Sequence, residues 1–148
     1  MAPQAVSMQP SADEPGPDVV VEYLVRGRSP WGMRLHANGR ADEWTAAGGW
    51  QPLVQADPAE VAALVNMATR DGYLALPEIV GPADAPDDGT QLSWMIEVDG
   101  SRHHVTARGA GPSWDPVLRA LDAELQLIVG RALNRVADAP PARKSSGT

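Results

Sequence analysis

The chain has 148 residues, a formal net charge of −7 and no cysteine. Lys144 is its only lysine and the arginines form no stripe, which argues against nucleic acid and anionic membrane as partners and favours a basic or mixed protein surface. Without cysteine there are no disulfides, thiolate nucleophiles or cysteine-ligated zinc.

Residues 1–17 are rich in proline and poor in large apolar side chains, and residues 138–148 end in APPARKSSGT. Neither segment can bury enough surface to offset its ordering entropy, so both are expected to be disordered tails around one domain over residues 18–137. The N-terminal stretch lacks the basic start and apolar run of a secretory signal, and no run is long enough to span a bilayer. A cytoplasmic location is therefore expected.

DVVVEYLVR (18–26) alternates as a strand, and Gly27-Arg28-Ser29-Pro30 breaks it. WGMRLHA-NG-RADEWT follows. Asn38-Gly39 between alternating runs signals a two-residue type I′ hairpin. That turn predicts Arg34 opposite Glu43 and Met33 opposite Trp44. Trp31, Met33, Leu35 and Trp44 then share the apolar face, with Arg34, His36, Glu43 and Thr45 on the polar one.

Gly48-Gly49 and Trp50 read as a loop. DPAEVAALVNMATRDG reads as a helix with Asp57 as N-cap, Pro58 at the first position and Gly72 as the stop. Glu60 is placed to reach back to the cap's amide. Residues 77–90, with three prolines and four acidic side chains, read as a loop. Its acidic residues lack the spacing of a calcium loop, since the twelfth position from Asp84 is Met95.

Asp99-Gly100 marks a second hairpin with Glu97 facing Arg102, Trp94 facing Val105 and Met95 facing His104. Adjacent strand residues point to opposite faces, so His103 and His104 cannot chelate one ion together. His103 is expected at the edge of the core and His104 in solvent. His36 and His104 occupy corresponding polar faces, which leaves one metal alternative, with Glu43 or Glu97 as third ligand. Ser113-Trp114-Asp115-Pro116 opens a last helix whose inner stripe is Leu118, Leu121, Leu125, Ile128 and Ala132, widened by Val129, Leu133 and Val136.

These elements predict an α+β fold: an antiparallel sheet of about five strands, built from two hairpins, with two helices packed on it. No nucleotide-binding, serine-hydrolase or zinc-protease motif is present, so no enzyme and no cofactor are expected.

The order strand, hairpin, helix, Gly72-Tyr73-Leu74-Ala75-Leu76-Pro77, hairpin, leucine-rich helix resembles the emfourin-like family, small bacterial proteins related to an inhibitor of a thermolysin-type metalloprotease. The residues that carry the likeness are Val20 to Arg26, Arg70 to Pro77, Ser93 to Val105 and Pro116 to Ile128. The family commonly has a Gly-Gly-aromatic turn after the first strand, where this chain has Gly27-Arg28-Ser29-Pro30-Trp31. The resemblance implies a protein-binding module with a metalloprotease as partner, and the chain is expected to be a soluble monomer. Gly27, Arg28, Ser29, Pro30 and Trp31 are the contact candidates, because a proline-stiffened turn loses little entropy on docking. The 77–90 loop is the second candidate. The competing function is a sheet-based small-ligand or metal-binding protein that uses His36, His104 and the tryptophans.

Overall fold

A computed structural model describes residues 16, 18–27, 29–80, 91–108 and 115–138. The expected tails, Trp114 and most of the acidic 77–90 loop lie outside the described residues. Among these residues no helix is long and apolar enough to cross a membrane.

The alternating runs form strands, as their period of two requires. They are β1 (Val19–Arg26), β2 (Trp31–His36), β3 (Arg40–Thr45), β4 (Gly49–Gln55), β5 (Ile79–Val80), β6 (Gln91–Val98) and β7 (Ser101–Arg108). Helix α1 (Pro58–Asp71) lies between β4 and β5, and α2 (Pro116–Asp138) follows β7. The seven strands make one sheet in the order β4-β3-β2-β1-β6-β7-β5. Every pairing is antiparallel except that of β5 with β7.

The expected count of about five strands is too low. GWQPLVQ gives β4 without clean alternation, because Pro52 interrupts it and a register shift against β3 turns Leu53 and Val54 both toward the core. The two residues of β5 are too short to show a period.

Both helices pack on one face of the sheet. Val61, Leu64 and Ala68 from α1 and Leu118, Leu121, Leu125, Ile128 and Ala132 from α2 join Val21, Tyr23, Met33, Leu35, Trp94, Ile96 and Val105 in one core. Asp57 caps α1 by accepting from the Ala59 amide at 2.8 Å, and Gly72 ends it in the left-handed region at φ 101°. Asp115 caps α2 by accepting from the Val117 amide at 2.9 Å. Glu60 does not reach back to its cap. It accepts instead from Arg131 of α2 at 2.6 Å, tying the helices together. Leu133 (43 % exposed) and Val136 (67 % exposed) continue the buried stripe of α2 but do not extend the core, as the helix runs on beyond Ala132.

The second hairpin turns as expected. Asp99 and Gly100 both take positive φ, 51° and 81°, the type I′ pattern. Glu97 pairs with Arg102, Trp94 with Val105 and Met95 with His104.

The first hairpin does not. Its pairs are Gly32 with Trp44, Met33 with Glu43, Arg34 with Asp42 and Leu35 with Ala41, one residue away from the expected register. Only Gly39 has positive φ (96°), and its amide donates to the His36 carbonyl at 2.9 Å. The connection is thus a three-residue loop with a left-handed glycine. Tertiary contacts select it: the Ala56 amide donates to the Gly39 carbonyl at 2.8 Å, and Gln55 Nε2 donates to the Asn38 carbonyl at 2.7 Å. The slip moves Glu43 and Thr45 to the helix-facing side and Trp44 and Asp42 to the other.

Candidate functional site

The β1–β2 connection links two neighbouring strands, with Val25 paired to Trp31. Gly27 takes φ 137°, a backbone state that favours glycine. Ser29 is exposed and Pro30 half-buried, and Arg28 lies outside the described residues. Trp31 fastens the end of this loop. Its indole N–H donates to Glu43 Oε2 at 2.7 Å, and its ring meets Tyr23 edge-on at 5.9 Å and 74°. Tyr23 in turn stacks on Trp94 at 4.4 Å. One line of aromatic contacts therefore runs from the loop into the core, where burial pushes the Tyr23 hydroxyl pKa well above its ordinary value.

The opposite face of the sheet carries a network that sequence reasoning missed. His36 has Asp18 Oδ2 at 3.1 Å from Nδ1 and Asp42 Oδ2 at 2.8 Å from Nε2. Arg40 grips the same Asp42 through Nε at 2.8 Å and Nη2 at 3.1 Å. Arg34 donates to Glu22 at 2.7 Å and lies 4.0 Å over the Trp50 ring. Gly32 makes room for this packing, since a Cβ there would meet Trp50 at 3.0 Å and Trp44 at 3.2 Å.

Burial alone would raise Asp42. The hydrogen bonds from Arg40 and His36 outweigh it and hold its carboxyl below the usual carboxylate range. The hydrogen bond to His36 does the same for Asp18. Between these side chains lies a cleft of about 310 Å³, lined by Gly16, Val19, Arg34, His36, Arg40, Asp42, Trp50, Gln51 and Pro52. The signal in the sequence was Asp42 itself. The expected register would have set this carboxylate against Leu35 on the apolar face, whereas the observed one sets it beside His36.

The structure does not bring His36 and His104 together. β1 and β6 separate their strands, so they stand at least roughly 14 Å apart, three strand spacings. Glu43 points to the other face, and both ring nitrogens of His36 are already engaged. His104 is exposed and His103 half-buried, as expected. Trp44 is buried, on the face away from the helices, and Trp50 is half-buried against Arg34. No group of three or more metal-ligating side chains is present among the described residues. No protein-family model and no curated protein matches this chain.

Proposed function

We propose that this chain is a non-catalytic protein-binding module that docks through the loop Gly27–Trp31, and that its partner is a thermolysin-type metalloprotease which it inhibits by occlusion. The observation that carries the reading is the anchoring of Trp31. A loop whose last residue is held by Glu43 and Tyr23, with Pro30 restricting the backbone before it, is pre-organised. Binding then loses less conformational entropy than a free loop would. The strand, hairpins and helices on which the family resemblance rests follow one another in the expected sequence, with β4 and β5 added between them. The net charge of −7 suits a basic or mixed partner surface.

The test is a titration of a thermolysin-type protease with the purified chain. The reading expects activity to fall linearly to an endpoint at one chain per protease. Replacing Ser29-Pro30 by Gly-Gly is expected to weaken inhibition by roughly tenfold, because the loop must then be ordered on binding. Undiminished proteolysis at excess chain would contradict the reading.

A further inference from the structure

The loop Gly27–Trp31 has five residues, whereas a stable protein–protein interface takes roughly 20–30 residues and about 800 Å² from each partner. Stoichiometric docking therefore needs surface beyond this loop, and the sheet topology names the surface that adjoins it.

β1 ends and β2 begins at one end of the sheet, and β3 ends and β4 begins at the same end. The β3–β4 turn, Thr45–Gly49, is thus the next reversal along that end. Gly32 pairs with Trp44, so Trp31 and Thr45 follow as neighbours on adjoining strands. The two reversals share an anchor, because Glu43, the acceptor of the Trp31 indole, stands two residues before Thr45 on β3. Three strand spacings from β1 to β4 place both on a rim about 14 Å wide.

Thr45, Ala46, Ala47 and Gly48 are exposed. Their turn is held from within: Thr45 Oγ1 accepts from the Gly48 amide at 3.2 Å, and Gln51 Nε2 donates to the Gly48 carbonyl at 3.4 Å. Like the neighbouring loop, it is ordered before any partner arrives. It carries no charge and no side chain larger than threonine, in a chain of net charge −7. Its backbone can therefore approach a partner wall closely without burying an unpaired ion. The turns at the opposite end of the sheet differ: Asp99 occupies one, flanked by Glu97 and Arg102, and Arg40 follows the other.

We infer that the β3–β4 turn is the second part of the docking surface, an assignment that rests on the inhibitory reading. The two reversals enter the substrate cleft of the protease side by side. Ser29-Pro30 fills one section of the cleft and Ala46-Ala47 the next, and the partner's contribution is an elongated groove shaped to take peptide backbone.

The test uses the full chain and a thermolysin-type protease assayed on a peptide substrate. Ala47→Arg and Ala47→Glu add bulk of opposite charge, so a loss in both reads size and not sign. Each is expected to weaken inhibition tenfold or more. Ala63→Arg, on the exposed side of α1, is expected to inhibit as the wild type does. Amide hydrogen exchange of the wild-type complex is expected to slow at residues 45–49 as well as in the loop. Two results would overturn the inference while leaving the inhibitory reading in place: full inhibition by both folded Ala47 variants where Ser29-Pro30→Gly-Gly weakens it, or unchanged exchange at 45–49 in the complex. A wild-type chain that does not inhibit the protease would overturn both.

Discussion

Trp31 and Glu43, twelve residues apart, meet on the helix-facing side of the first hairpin through a 2.7 Å hydrogen bond from the indole N–H to the carboxylate. This contact gives a carboxylate a partner at the edge of an apolar face and fixes the ring that ends the β1–β2 loop. Glu43→Ala leaves the partly buried indole donor without its acceptor, which is expected to cost about 1–3 kcal/mol in urea unfolding. Glu43→Gln keeps an acceptor and is expected to cost less. Emission from Trp31 in a variant that retains it as sole tryptophan should shift to the red in Glu43→Ala.

Gly39 and Gly100 separate two effects that usually travel together. Both have positive φ, but a Cβ on Gly39 would lie 2.2 Å from the Ala56 carbonyl oxygen, whereas one on Gly100 meets nothing within 4 Å. Gly100→Ala is expected to cost only the left-handed backbone penalty, about 1–2 kcal/mol. Gly39→Ala must also push the Ala56 backbone aside and is expected to cost clearly more. Equal midpoints for the two variants in a denaturant titration would contradict the packing of this turn.

Acid should weaken the network on the outer face. Asp18 and Asp42 have folded pKa values below their ordinary one, through His36 for Asp18 and through Arg40 and His36 against burial for Asp42. The folded state therefore binds fewer protons than the unfolded state in this range. Their contribution is present above the unfolded aspartate value of about 3.9 and is lost as pH falls through the lower folded values. Asp42→Asn is expected to flatten the acid limb of a stability–pH profile. A limb as steep as that of the wild type would show that Asp42 carries none of it.

The sequence revealed most where one local signal was enough. Asp57, Pro58 and Gly72 bound α1 as expected, and Asp99-Gly100 set the second register, because each acts through its own backbone. Asn38-Gly39 carried as strong a signal, yet the turn opened to three residues. Gln55 and Ala56, from the strand end and linker that follow β3, hold it there, and no reading of residues 31–45 alone contains that contact. The slip of one residue hid both the Trp31–Glu43 contact and the His36–Asp42 network at once. It set Glu43 opposite Met33 rather than Arg34, and it brought Asp42 beside His36. β4 escaped notice because Pro52 and the shifted register erase its alternation.

The pairing of β2 with β3 supports both the anchored loop and the His36–Asp42 network, so it is the most direct point of attack. Cross-strand backbone NOEs in a ¹³C,¹⁵N-labelled sample would read it. The account predicts contacts that pair Gly32 with Trp44, Arg34 with Asp42 and Leu35 with Ala41. Contacts pairing Arg34 with Glu43 and Met33 with Trp44 would contradict it.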